Sequence, residues 1–125
     1  MSRWVVHARA VFEAQHALTA YKGEVEASHV HDWQVEVRIG ADALGLEGYA
    51  LDFHEVRRIL VEEVRPLNDS DLNTDPEIGQ PSPTAERVAE VLAERLTPQF
   101  ETVGGRLLSL SVWEGPDNRV DLILE

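Results

Sequence analysis

The chain has 125 residues, 43% hydrophobic and 27% charged, with no apolar run near the roughly 20 residues that span a bilayer, so it reads as one soluble globular domain covering residues 1–125. Eleven basic residues against 23 acidic ones give a formal net charge of −12, which opposes phosphate backbones and anionic membranes and argues against nucleic-acid or membrane partners. The absence of cysteine excludes disulfides, thiolate metal ligands and a thiol nucleophile.

The opening residues, Met1-Ser2-Arg3-Trp4, have neither the basic start nor the apolar stretch of a signal peptide, and the expected location is the cytoplasm. Strand formers run from Trp4 to about His16. After a long loop from Ala17 to Ser28, residues His29 to Ile39 alternate: His29, His31, Trp33, Val35, Val37 and Ile39 share one face of a strand, and Val30, Asp32, Gln34, Glu36 and Arg38 take the other. His29 and His31 therefore project side by side from the apolar face and can share one ion. His16 lies 13 residues before His29, a distance that suits the facing strand of a hairpin. Three neutral imidazoles with an open fourth position describe a catalytic rather than a structural zinc site.

Gly40 to Gly48 reads as a loop. Asp52 then caps a predicted helix in which Phe53, Val56, Ile59, Leu60 and Val64 recur at helical spacing until Pro66 stops it. Leu67 to Pro81 is polar and irregular. A second helix is predicted to begin near Ser82-Pro83-Thr84, with Val88, Val91, Leu92 and Leu96 as its buried stripe. Leu107 to Glu114 and Val120 to Leu124 form a closing hairpin around Gly115-Pro116-Asp117-Asn118. The order ββααββ predicts an α+β fold, a four-stranded antiparallel sheet with two helices on one face. Such a sheet has two edges that need covering or pairing, so a homo-oligomer is expected.

In the third predicted strand Glu114 falls in line with Leu108, Leu110 and Val112, on the apolar parity. A carboxylate there must either escape at the strand end or meet a donor-rich ligand, and its two oxygens match the parallel N–H donors of a guanidine-like heterocycle edge.

These residues together resemble the 6-pyruvoyltetrahydropterin synthase family and its bacterial relative, 6-carboxytetrahydropterin synthase of queuosine biosynthesis. The carrying motifs are Phe12-x-Ala14-x-His16, His29-x-His31, Leu51-Asp52-Phe53, Leu72-Asn73, Pro83-Thr84-Ala85-Glu86 and Val112-Trp113-Glu114. The resemblance implies the T-fold, with subunits pairing sheet edges into trimers commonly stacked as hexamers. It also implies zinc held by His16, His29 and His31, and a pterin substrate anchored by Glu114 with help from Thr84 and Glu86.

Departures from the family pattern are equally informative. The family's proton-transferring cysteine has no counterpart in Gly23-Glu24-Val25-Glu26-Ala27-Ser28, its Asp-His aligns with Asn68-Asp69, and its His-Gly-His has become His29-Val30-His31. One branch of the family uses a glutamate in place of the cysteine and cleaves the dihydroneopterin side chain for folate synthesis, which makes Glu24, Glu26 and Asp69 the candidate proton carriers. The leading expectation is a zinc-dependent, lyase-like enzyme acting on a dihydroneopterin-type side chain. Its rivals are a catalytically silent zinc- and pterin-binding homologue and an unrelated three-histidine zinc hydrolase.

Overall fold

A computed structural model describes residues 3–19, 22–24 and 27–125. Two 13-residue strands, β1 (Trp4–His16) and β2 (His29–Ala41), form an antiparallel hairpin in which His16 faces His29 and Trp4 faces Ala41. Helix α1 (Phe53–Val64) follows, then a two-residue strand β3 (Ser70–Asp71), helix α2 (Ala85–Glu101), and the closing strands β4 (Arg106–Glu114) and β5 (Asn118–Ile123). The sheet order is β3-β1-β2-β4-β5, and among the described residues no helix is long and apolar enough to cross a membrane.

The sheet thus has five strands where the sequence pattern gives four. The addition is β3, which pairs parallel with β1 at Ala14 and Gln15 only. A two-residue strand is too short to produce an alternating pattern, so its segment reads as irregular. A second difference concerns Phe53. It belongs to the apolar spacing of α1, yet it is the first helical residue and lies 74% exposed, while Val56, Ile59, Leu60 and Val64 carry the buried stripe. Asp52 caps that helix as its sequence position suggests, its Oδ1 accepting from the His54 N–H at 2.8 Å.

The core lies between one sheet face and the two helices. Val6, Ala10, Phe12 and Ala14 of β1, Trp33, Val35, Val37 and Ile39 of β2, and Leu110 and Val112 of β4 meet the α1 stripe and Val88, Val91, Leu92 and Leu96 of α2. Burying a leucine or valine side chain contributes about 1.5–3 kcal/mol, so this layer dominates the stability of the domain. The opposite face is polar but satisfied. Glu36 accepts from Arg9 at 2.9 Å and Arg38 at 2.7 Å, and Arg38 also reaches the hydroxyls of Ser109 and Ser111. Among the described residues no buried side-chain polar atom lacks a partner.

The edges stay largely open. β3 covers only the His16 end of β1, and β5 pairs with β4 alone. Where β1 continues past β3, Asn68 Oδ1 accepts the Glu13 N–H at 2.9 Å, and the Asp69 N–H donates to the Glu13 carbonyl at 2.7 Å.

The turn before α2 is built around Asp75, whose Oδ1 accepts from the N–H groups of Glu77 and Ile78, both at 2.9 Å. Gly79 lets this turn close onto the backbone, because a Cβ there would stand 2.5 Å from the Asn73 carbonyl oxygen and 2.8 Å from that of Asp75. Burial pushes the Asp75 carboxyl up, but the two N–H donors and nearby Arg95 outweigh it and hold the group below its ordinary value. Asp75→Ala is expected to cost about 1–2 kcal/mol at pH 7, as loss of a helix cap does. A depressed folded-state value means that this contribution is present above the unfolded carboxylate pKa of roughly 3.9 and is lost as pH falls through the folded value. Urea midpoints of the variant and wild type should therefore converge on acidification. A constant gap from pH 7 to below pH 3 contradicts this account.

Candidate metal centre

Strand register assembles the site. His16 ends β1, His29 begins β2 directly opposite it, and His31 follows two residues along the same face. On the other side of β2, Glu114 of β4 faces Trp33, so it lies diagonal to His31 and on the same face again. Four side chains from three adjacent strands thereby converge at one end of the sheet. One donor atom from each of His16, His29, His31 and Glu114 can be chosen so that all lie within 4.8 Å of one another.

Glu114 Oε1 stands 2.7 Å from His16 Nε2, 3.0 Å from His31 Nε2 and 3.7 Å from His29 Nε2. The close polar contact with His16 holds the Glu114 carboxyl below the usual carboxylate range against the upward push of burial, and His31 and His29 add to the downward effect. The outer nitrogens of two rings are tied to backbone. His16 Nδ1–H donates to the Pro83 carbonyl at 2.7 Å and His29 Nδ1–H to the Ala27 carbonyl at 3.1 Å, which turns both Nε2 atoms inward. Such backbone partners fix ring orientation and tautomer in metal sites. A carboxylate oxygen set against imidazole nitrogens requires protons or a cation between them, and a set of neutral imidazoles and one carboxylate suits zinc.

Supporting residues hold His16 most firmly. Its ring is 1% exposed and meets Trp33 edge-on at 5.0 Å between centroids. The next residue, Ala17, is clamped by Asn73, which accepts its N–H and donates to its carbonyl, both at 2.8 Å. Thr19 then fastens the loop to the segment before α2, its N–H donating to Ser82 Oγ at 3.1 Å and its hydroxyl to the Pro81 carbonyl at 3.0 Å. The start of α2 thus bears on the site through Pro83, a contact that residue-type reasoning misses because it uses a main-chain oxygen.

The remaining sequence-predicted site residues are placed differently. Thr84 caps α2, its hydroxyl oxygen accepting the Arg87 N–H at 3.0 Å, and Glu86 is exposed in the first turn. Glu24 is exposed in the loop before β2, and Glu26 lies outside the described residues. Asp69 is exposed and does not join the four-donor group; the shallow hollow it lines is bounded by Glu13, Gln15 and Val30, which project from the sheet face opposite the imidazoles. Glu114, expected either to escape at the strand end or to meet a ligand, instead meets the three imidazoles. An apolar hollow lined by Trp4, Leu44, Tyr49 and Phe53 lies at the far end of β1 from His16 and contains none of these groups.

Fold and donor set together define the class: a T-fold domain with three histidines and a carboxylate gathered at one end of its sheet. The family model described as 6-pyruvoyl tetrahydropterin synthase matches residues 5–123, and the chain belongs to that family. Among solved structures it is similar to the 6-pyruvoyl tetrahydropterin synthase of Caenorhabditis elegans, at 17% identity and a TM-score of 0.81, covering 100% of this chain and 98% of that one. An uncharacterised protein from Wolinella succinogenes aligns at 16% identity and a TM-score of 0.80, with all of both chains covered. A Plasmodium vivax 6-pyruvoyltetrahydropterin synthase, mutated from glutamate to alanine at a catalytic residue, aligns at 13% identity and a TM-score of 0.74 with 98% of each chain covered. No curated protein matches the sequence.

Proposed function

We propose that this protein is a zinc-dependent, lyase-like enzyme acting on the three-carbon side chain of a dihydroneopterin-type substrate. The observation that carries this reading is the convergence of three imidazole Nε2 atoms with a carboxylate in a chain of this family. His16, His29 and His31 would hold the ion. When bound, zinc supplies Lewis-acid polarisation of side-chain hydroxyl or carbonyl oxygens.

Glu114 has the two oxygens needed for the guanidine-like edge of a pterin, and Thr84 and Glu86 follow Pro83, the residue whose carbonyl holds His16. With no thiol in the sequence, we assign the proton transfer to a carboxylate. Glu24 and Glu26, in the loop entering β2, are the leading choices; the P. vivax relative, whose catalytic residue is a glutamate, supports that substitution. Asp69 faces away from its own chain's imidazoles, so it fits a role at the site of a neighbouring copy, and the open sheet edges suit a trimer or hexamer.

Charge points to a dephosphorylated substrate. Arg9, Arg38, Arg95 and Arg119 already have acidic partners, and the sequence contains a single lysine, Lys22. Purified protein is expected to hold about one zinc per chain and to turn over dihydroneopterin faster than its monophosphate or triphosphate, measured by metal analysis and by mass spectrometry of the products. Absence of stoichiometric zinc, or of turnover on all three, removes the proposal. The lost thiol also favours a second reading, a pterin binder without chemistry, which calorimetry identifies as tight pterin binding with no product after long incubation.

A further inference from the structure

Glu114 occupies the wrong place for a residue devoted only to a substrate. An ion bound tetrahedrally by nitrogen and oxygen at roughly 2.0–2.2 Å separates its donors by about 3.3–3.6 Å. The three contacts of Glu114 Oε1, at 2.7, 3.0 and 3.7 Å, lie on either side of that spacing, so a shift of under about 1 Å brings the carboxylate to the place of a fourth donor. Strand geometry keeps it there: Glu114 is the last residue of β4, and the Gly115 N–H that follows donates to the Asp32 carbonyl at 2.9 Å, binding the strand end to the His31 region of β2.

The donors also differ in freedom. His16 is fully buried, fixed through Nδ1 to Pro83 and backed by Trp33. The Glu114 side chain is 27% exposed, has three rotatable torsions, and makes no hydrogen bond among the described residues except to imidazoles. Unlike His16 and His29, whose Nδ1 atoms are tied to backbone carbonyls, it can leave without breaking a contact outside the set.

We propose that Glu114 is the fourth metal ligand of the substrate-free protein, and that it leaves the ion when the guanidine-like edge of a pterin binds. The two partners are mutually exclusive for one carboxylate. The Glu114 oxygen–metal bond breaks, the carboxylate accepts two N–H donors from the heterocycle, and a side-chain oxygen of the ligand takes the vacated position. No electron is transferred. The resting site is thereby closed to water by four protein donors and opens only in the presence of a pterin. This inference rests on the zinc- and pterin-binding reading above.

The test uses the full chain loaded with Co(II), whose visible ligand-field bands report the donor set directly, with neopterin as the probe. Glu114→Gln is expected to weaken Co(II) and zinc binding by roughly tenfold or more, measured by competition with a chromophoric chelator, and to change the resting Co(II) spectrum. Neopterin is expected to shift the wild-type spectrum. Glu114→Asp keeps the charge but withdraws the oxygens, and should lose affinity as Gln does. If Gln matches wild type in affinity and spectrum, or if neopterin binds and leaves the wild-type spectrum unmoved, the exchange is refuted while the zinc and pterin reading stands. If Asp matches wild type, the charge alone accounts for the effect and the proposal fails. If wild-type protein takes up neither metal, the underlying reading fails with it.

Discussion

Replacing His16 with alanine is expected to weaken zinc binding by at least about 100-fold, the upper end of what loss of an outer-shell partner alone costs a metal site. The reason is the unequal support of the three imidazoles. His29 and His31 are each about one-third exposed at the start of β2, whereas His16 is 1% exposed and is held by Pro83, Trp33 and the Asn73 clamp on Ala17. It is the anchor about which the other donors close. The same substitution leaves the Pro83 carbonyl without its donor, a loss of about 1–3 kcal/mol for a buried group, so some destabilisation should accompany the metal loss. Chelator competition measures the first effect and urea unfolding of the metal-free proteins the second. Retention of one zinc per chain at wild-type affinity in the variant removes His16 from the site and with it the proposed function.

Much of this centre is legible in the sequence because strands translate spacing into direction. The period of two puts His29 and His31 on one face of β2, and the hairpin places His16 opposite His29 without further information. The same parity aligns Glu114 with the apolar set of β4. What parity cannot supply is the register of β4 against β2, which pairs Glu114 with Trp33 and shifts at a bulge between Arg38 and Ile39. Only with that register does Glu114 become a neighbour of the imidazoles.

Other features are hidden for different physical reasons. The Pro83–His16 bond uses a main-chain carbonyl, which every residue possesses, so no residue type marks it. β3 is held by two residues and two loop contacts, too little for a periodic pattern. Phe53 satisfies the helical spacing but starts its helix, where it borders an open hollow and lies 74% exposed. The proposed proton carrier is the least legible part. The loop from Ala17 to Ser28 contains carboxylates with no periodic constraint, and a loop position is set by tertiary contacts such as those of Thr19 rather than by local pattern.

Trp33→Ala is expected to destabilise the fold by about 3–5 kcal/mol, the cost of emptying a large aromatic site in a core. Trp33 is 1% exposed, stacks on Phe12 with centroids 5.9 Å apart and planes 4° from parallel, and donates its Nε1–H to the Ala14 carbonyl at 3.2 Å. It also forms the floor beneath the candidate metal donors, with its ring edge-on to His16 at 5.0 Å and to His31 at 6.3 Å. For a domain whose total stability is on the order of 5–15 kcal/mol, that loss is large enough to lower both the folded fraction and the definition of the site. Trp33→Phe separates the two consequences. It keeps an aromatic floor but removes the indole N–H and some volume, so it should cost about 1–3 kcal/mol and leave zinc affinity near that of wild type. Trp33→Ala should lose both stability and affinity, because the imidazoles of His16 and His31 lose the surface that orients them. Urea unfolding and chelator competition on the three proteins give the ordering. An alanine variant within about 1 kcal/mol of wild type contradicts the packing described for this sheet face. Equal zinc affinity in the phenylalanine and alanine variants removes Trp33 as the surface that orients His16 and His31.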